Sequence, residues 1–542
     1  MRTSRFLFII ILLFLSFFQT TILQFQNSLS VSNGSVRAYA IHDDVRVVEY
    51  TGEFEEDWSG SDVTITGDVN NDGFDDFAIS ALFNDEGGAN TGQTYLVFGR
   101  DTELWNADPS LADADASLIG EASGDWSGFE VSGIGNVNND DYDDLAISAP
   151  LNDEGGDNAG QIYLFLGRET TEWSMDMSLS AADASFIATT GDTLTGISGA
   201  GDVNNDGYDD IVIGAPGNDE GGDNAGQVYL FLGRETTDWS MDMSLSAADA
   251  SFIGEEPDDE VGINIEIVGD INNDDYDDIM IGAGGNDEGG SFAGQAYLIF
   301  GRATGEWHLD VDLSGVDASF IGENARDELG NSVSGAGDVN NDGYDDFIIG
   351  AIGNDEGGDT AGQIYLFLGR ETTEWNMDMS LSAADASFIG EAAGDQAGWS
   401  GAGLGDTNGD NLDDFIITAN RNDKGGVDAG RAYLFLGQTT EQWEMDTPIS
   451  EANATFTGES QNDLFGSSVS GTGDVNKDGF NDFIIGAKWN GDSGVRAGKS
   501  YMVLYPFPVL ILTQASSISL MPTLLSLGLI SILLIFKRTR YQ

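Results

Sequence analysis

The sequence predicts an all-β protein, a seven-bladed β-propeller with a hydrophobic segment at each end. Two observations carry that prediction. A short acidic loop in the frame D-x-N-x-D-[G/D/N]-x-x-D recurs seven times, beginning at residues 68, 136, 202, 270, 338, 406 and 474, with Asn136 in place of the first Asp. The intervals are 68, 66, 68, 68, 68 and 68 residues. One unit copied at so fixed a period is the signature of a repeat architecture. The second observation is that each unit breaks into four short strand-like segments separated by Gly and Asx turns, with no sustained helical period.

The fifth copy shows the elements in order. Asn331 to Gly335 is short and alternating, and reads as a strand. Asp338 to Asp346 is the acidic loop. Phe347 to Ala351 is a continuous apolar run too short for a helix, hence a buried strand. Asn354 to Gly358 is a Gly-rich loop, and Gln363 to Leu368 a β-branched and aromatic strand. A polar loop with Trp375 leads to a fourth strand, Ala386 to Ile389. Residues 167–187 and 369–389 differ only at Ser174 against Asn376, and the spacing of the copies never varies by more than two residues, so no blade is expected to carry an inserted domain. The seventh copy runs out after its third strand. The leftover strand at about Val45 to Thr51 is expected to complete it, with Val47 and Val48 beside Tyr501 and Val503, hiding an open edge.

Composition narrows the function. The net charge of −74 and the pI of about 4.1 exclude a nucleic-acid partner, which needs a basic surface. There is no cysteine and there are two histidines, so disulfides, zinc-thiolate sites and histidine-rich metal centres are excluded.

The acidic loop is a cage of oxygen ligands for a hard cation, Ca²⁺ above all. Position 1 is Asp68, Asn136, Asp202, Asp270, Asp338, Asp406 or Asp474. Position 3 is Asn70, Asn138, Asn204, Asn272, Asn340, Asn408 or Asn476, and position 5 is Asp72, Asp140, Asp206, Asp274, Asp342, Asp410 or Asp478. Position 7 offers the backbone carbonyl of Phe74, Tyr142, Tyr208, Tyr276, Tyr344, Leu412 or Phe480. Position 9 closes the cage with Asp76, Asp144, Asp210, Asp278, Asp346, Asp414 or Asp482. Position 6, which needs an unusual backbone angle, is Gly in the odd copies and Asp141, Asp275 or Asn411 in the even ones. Position 8, such as Asp345, is expected to point outward. An EF-hand is excluded, because position 12 falls inside a strand. A metal-free acidic turn would explain one copy, but seven copies holding five positions favour up to seven Ca²⁺ ions. Seven divalent ions would lower the charge to −60. The second and sixth loops are the weakest sites, with Asn136 in one and Asn411 and Leu412 in the other.

This frame resembles the FG-GAP repeat, the blade of integrin α-subunit propellers. Phe465-Gly466 followed by Gly486-Ala487 carries the family signature, and Gly214-Ala215-Pro216 its second half. The similarity covers about 460 residues. It implies a seven-bladed propeller with Ca²⁺ in the first hairpin of each blade, and a role in adhesion or ligand binding. The chain departs from integrins in carrying the loop in all seven blades and in having no inserted or leg domains.

Other features also recur. Trp105, Trp173, Trp239, Trp307, Trp375 and Trp443 appear once per blade and are expected to pack between outer strands. The Asn-Asp-Glu-Gly-Gly loops at 84, 152, 218, 286 and 354 should form an acidic ring on the face opposite the metal loops. That ring reads as a solvated face or as a docking ring for cationic or metal-bridged ligands. Asn33 and Asn453 lie in glycosylation sequons.

Six segments follow. Residues 1–25, with Arg2 and Arg5 before an apolar run, form a signal peptide or N-terminal anchor. Residues 26–42 are a linker, 43–505 the propeller and 506–515 a second linker. Residues 516–536 form a transmembrane helix, followed by a basic cytoplasmic tail, 537–542, with the propeller outside the cell. A sorting signal trimmed after export is the alternative for that tail. The leading functional expectation is a non-enzymatic, membrane-tethered surface propeller recognising an extracellular protein or glycan. A secreted polysaccharide hydrolase or lyase is one rival, and a structural component of a cell-surface layer another. A catalytic site needs a cluster unique to one blade, and every carboxylate motif identified in the sequence recurs in each blade.

Overall fold

The computed structural model describes residues 46–504, apart from residue 107, and a separate two-residue pairing of Val31–Ser32 with Ser35–Val36. The expected signal segment, both membrane-related tails and most of the two linkers lie outside the described residues. Among the described residues, no helix is long and apolar enough to cross a membrane.

Residues 46–504 form a seven-bladed β-propeller. In the first blade Ser59–Gly67, Asp76–Ala81, Gln93–Val97 and Ala116–Ile119 pair antiparallel in sequence order. The other blades repeat that order. The inner strands of all seven blades line a central cavity of about 730 Å³. The second strand is buried at every position, as in Asp346–Ala351, because both of its faces meet a neighbouring blade. Phe347 and Ile349 pack towards the fourth blade and Ile348 towards the sixth. The apolar cores therefore lie between blades. This explains why the second strand reads as a continuous apolar run rather than an alternating one.

The ring closes as the sequence suggests. Arg46–Thr51 pairs antiparallel with Lys499–Leu504, placing Val47 opposite Val503 and Val48 opposite Met502. Arg46–Thr51 is thus the outer strand of the last blade. Both Arg46 and Leu504 stand at the end of that sheet nearest Asp482, the side of the acidic loops.

Four strands per blade is an undercount for five blades. Met177–Ser178, from the connection in blade two, adds a parallel fifth strand to Leu118–Ile119 of blade one. Met243–Ser244, Val311–Asp312, Met379–Ser380 and Thr447–Pro448 do the same for the next four. Each two-residue segment sits in a polar loop too short to carry a period, so no sequence pattern announces it.

Candidate metal centres

The acidic loops join the inner strand to the second strand and lie together at one end of the blades. The Asn-Asp-Glu-Gly-Gly loops join the second strand to the third, at the opposite end. Their acidic pairs are exposed in the first five blades, giving the expected ring. Blades six and seven interrupt it with Asp423-Lys424 and Gly491-Asp492. In the first blade the Asn84 side chain is buried and donates to Asp57 at 3.1 Å, which anchors the loop and leaves Asp85 and Glu86 in solvent.

Within the first metal loop, the two carboxylate oxygens of Asp68 accept the backbone N–H groups of Asp72 and Gly73 at 3.0 and 2.7 Å. Asp72 accepts from the Phe74 N–H at 3.1 Å. Asp76 is fully buried and accepts from Gly99, Val69 and the Asn70 amide at 2.8, 3.2 and 3.0 Å. The Asn70 side-chain oxygen is buried and has no hydrogen-bond partner. The same atom is orphaned at Asn204, Asn272, Asn340 and Asn476, in loops three, four, five and seven. A buried amide oxygen without a donor is costly, and five of them at one loop position leave an unfilled acceptor aimed at a common role.

The two weakest loops differ. Asn138 turns its oxygen to the Asp140 N–H at 3.0 Å and its amide to the Asp140 carboxylate at 2.9 Å, while Asn136 also bonds the loop backbone. In loop six, Thr407 replaces an aliphatic residue and donates to Asp414, and Asn408 is only half-buried. Among the described residues no three acidic, His or Cys side chains converge as a ready metal cluster. The donor set is mixed, and the carboxylates at positions 1, 5 and 9 accept backbone N–H groups. Burial pushes the position-9 carboxyls up: Asp210 to about 8, Asp346 to about 9, and Asp76, Asp144 and Asp278 well above the usual range. Asp414, with its added threonine donor, rises only to about 6.

Position 8 does not point outward. The Asp143 carboxylate reaches back to the first residue of the preceding loop and accepts the Asp68 N–H at 2.7 Å. Asp209, Asp277, Asp345, Asp413 and Asp75 do the same for Asn136, Asp202, Asp270, Asp338 and Asp474. In the remaining seam, Asn481 donates to the Leu404 carbonyl at 2.9 Å. Gly67 lies under the Asp143 carboxylate with φ of +72°, and a Cβ there would come within 2.2 Å of it. The signal was present in sequence, since position 8 is Asp in six copies and Asn in the seventh.

The expectation that no carboxylate is unique to a blade also needs correction. Asp62, Glu130 and Glu266 line the central cavity, and the other blades have Gly, Ser, Thr, Asn or Ala at the corresponding inner-strand positions. Asp62 accepts the Val131 N–H at 2.7 Å and Glu266 the Gly335 N–H at 3.2 Å. Each thus links its blade to the next, as the Ser198 hydroxyl does for Ile267. Burial raises all three carboxyls, Glu266 to about 8. The repeated tryptophans are packing residues, between 4% and 8% exposed. Trp239 lies under the Arg234 guanidinium at 4.9 Å, and Arg234 pairs with Asp249 at 2.6 Å.

A family model described as "FG-GAP repeat" matches residues 59–97, 129–165, 195–231, 329–367 and 465–501. Every span begins near the start of an inner strand, crosses the acidic loop and ends in the third strand. Five of these blades are FG-GAP repeats. The FG-GAP ring resembles the propeller of integrin α-subunits. It is similar to integrin alpha-V of Gallus gallus, 28% identical over 264 residues that cover 46% of this chain and 22% of that protein. It is 29% identical to integrin alpha-8 of Gallus gallus over 39% of this chain and 20% of that protein. The phosphatidylinositol-glycan-specific phospholipase D of Bos taurus is 29% identical over 35% of this chain and 22% of that protein. The matched region therefore spans about a fifth of the length of these relatives.

Proposed function

We propose that this FG-GAP propeller is a calcium-stabilised recognition domain at the cell surface, binding an extracellular protein or glycan and performing no catalysis. The observation that carries the metal half is the set of five orphaned asparagine oxygens inside acidic loops. Positions 1, 3, 5 and 9, with the carbonyl at position 7, would hold Ca²⁺. The ion would supply the positive charge that the buried position-9 carboxylates lack. Loops one, three, four, five and seven fit the ion better than loop two, where the Asn138 oxygen already accepts the Asp140 N–H, and loop six, where Asn408 is only half-buried.

The recognition half rests on the resemblance to integrin α-subunits and on the architecture. The chain leaves the ring at Leu504 on the metal-loop side. The relatives include proteins named as integrins and as phospholipases D, so the repeats alone carry no activity across. The unrepeated carboxylates Asp62, Glu130 and Glu266 accept backbone N–H groups of the next blade, which supports a structural reading of these three rather than a catalytic one. A pull-down from cell-surface extracts with a fragment spanning 41–505 tests the reading. Capture of a partner in Ca²⁺ and its loss in EDTA are expected. Turnover of a polysaccharide or phospholipid abolished by one unrepeated residue would overturn it.

A further inference from the structure

One position on the third strand of each blade, at the end opposite the metal loops, changes charge around the ring. It pairs with the last alanine of the second strand. Gln93, Gln161, Gln227, Gln295 and Gln363 fill it in the first five blades, Arg431 in the sixth and Lys499 in the seventh. The two cations are held among carboxylates. Lys499 is buried and pairs with Glu49, Asp492 and Glu459 at 2.5, 3.1 and 3.2 Å, with its amine 5.1 Å from the centre of the Tyr501 ring. Arg431 pairs with Glu391 at 2.8 Å, with its guanidinium 5.2 Å from the Tyr433 ring. In these two blades the chain itself supplies a positive charge to an acidic pocket.

Blade four keeps the acids without the basic side chain. Glu255 follows a glycine just past the preceding outer strand, as Glu391 and Glu459 do. Burial, and then the carboxylates of Asp312, Asp259 and Asp378, hold its carboxyl above the ordinary range. Among the described residues no Lys or Arg pairs with Glu255 or Asp378. Asp378 is fixed by Ser319, whose hydroxyl accepts the Asp378 N–H at 2.7 Å and donates to its carboxylate at 3.2 Å. Ser319 lies opposite Tyr297, and Gln295 is two residues from Tyr297 on the same strand. Gln295, Tyr297 and the Ser319–Asp378 pair therefore share one face of the sheet.

The Gln295 amide points to the ligand. In blades one to three the glutamine Oε1 accepts the hydroxyl of the tyrosine two residues on, at 3.3, 3.0 and 2.8 Å. In blade four Tyr297 hydrogen-bonds Glu255, and the Oε1 of Gln295, a residue 1% exposed, has no partner. The amide nitrogens of Gln93, Gln161, Gln227 and Gln363 donate to the counterparts of Asp378 at 3.4, 3.3, 3.3 and 3.5 Å. Among the described residues no such bond joins Gln295 to Asp378. A buried amide oxygen without a donor is costly, and this one lies among carboxylates. It is too deep for a partner's side chain, whereas a small ion can reach it. We propose that blade four binds a divalent cation of the Ca²⁺ class through Gln295 Oε1 and the carboxylates of Glu255 and Asp378, at a site separate from the acidic loops. The ion supplies the charge that Lys499 supplies in blade seven. The donor set is mixed, as in the loops, where again no three acidic side chains converge among the described residues. With two carboxylates against three in a loop, the site fills after the tight loops.

The test soaks crystals of the full chain, grown in detergent with Ca²⁺, in Tb³⁺ and locates the ions by anomalous scattering at the terbium edge. A peak within about 2.5 Å of Gln295 Oε1 is expected beside those in the acidic loops. Glu255→Ala and Gln295→Lys should each abolish that peak and leave the loop peaks in place. Gln295→Lys gives blade four the side chain that blade seven already holds, and its intact loop peaks show that the ring has folded. Loop peaks with none beside Gln295, or a peak there that survives both substitutions, would overturn the site. A peak beside Gln295 with empty loops would support it and overturn the loop reading, so the two readings fail separately. No peak anywhere would overturn both.

Discussion

The Asp143 carboxylate and the backbone N–H of Asp68, 75 residues apart, meet at 2.7 Å and tie the second metal loop to the first. Six of the seven seams carry this bond, so six of the metal loops are held by a neighbour as well as by their own turn. Disorder in one loop therefore removes an acceptor from the loop before it.

That coupling predicts that position 8 matters to stability without touching the metal. Asp345→Ala removes the acceptor of the Asp270 N–H, a bond of 2.9 Å at a half-buried seam. Leaving such a donor unsatisfied costs about 1–3 kcal/mol. The melting temperature should fall in EDTA as well as in Ca²⁺. Asp342→Ala, at a cage position, should lower it chiefly in Ca²⁺. Equal melting curves for Asp345→Ala and the parent in EDTA would sink the bracing role.

Calcium should stabilise the ring, and unevenly by loop. Each ion that binds only the folded state adds about 2.7 kcal/mol at a hundredfold excess over its Kd. Loops with an orphaned asparagine oxygen should fill first. Calorimetric titration should show about five tight equivalents, from that count of orphaned oxygens, and weaker ones for loops two and six. Asn340→Ala should remove one tight equivalent, whereas Asn138→Ala should not. Seven indistinguishable sites would refute the distinction, and an unchanged melting curve in EDTA would refute metal dependence altogether.

The channel carboxylates give a pH dependence of defined sign. Burial raises the Glu266 carboxyl from 4.5 to about 8. The folded state therefore holds this proton more tightly than the unfolded chain. Its contribution to stability is fully present below about pH 4.5 and is lost as the pH rises towards 8. Glu266→Gln keeps a hydrogen-bonding side chain without the charge. Relative to the parent, it should gain stability between pH 5 and pH 8, as read by denaturant midpoints in Ca²⁺ buffers. A constant difference between the two proteins across that range would show that Glu266 does not titrate in the folded ring.

Much of this architecture was legible because its signals are periodic. The loop spacing fixed the blade number, and runs such as Phe347 to Ala351 revealed strands buried on both faces. The features that escaped are relational. Asp345 looks like a solvent residue until the neighbouring blade is present, because its partner lies in another repeat. Met177–Ser178 pairs with Leu118–Ile119 through backbone groups alone, so its side chains carry no pattern. Asp62, Glu130 and Glu266 were hidden by the abundance of other acids. They stand out only when each inner strand is aligned on its metal loop.

Ring closure yields the most severe prediction. Val48 is fully buried in the core shared by blades seven and one, with Met502 opposite it. Val48→Asp places a charge there with no partner, and an uncompensated buried carboxylate either ionises at high cost or holds its proton at a cost of several kcal/mol. The damage should not stay local. Blade seven would lose its outer strand, and the seam carrying the Asp75–Asp474 bond would open with it. Unfolding should change from one cooperative transition to a broad one, and limited proteolysis should cut first near residues 46–58. Val47→Asp is the control, because Val47 is only half-buried and its change should be milder. A sharp single transition in Val48→Asp with little loss of midpoint would mean that the first strand is an accessory and that the ring holds without its clasp.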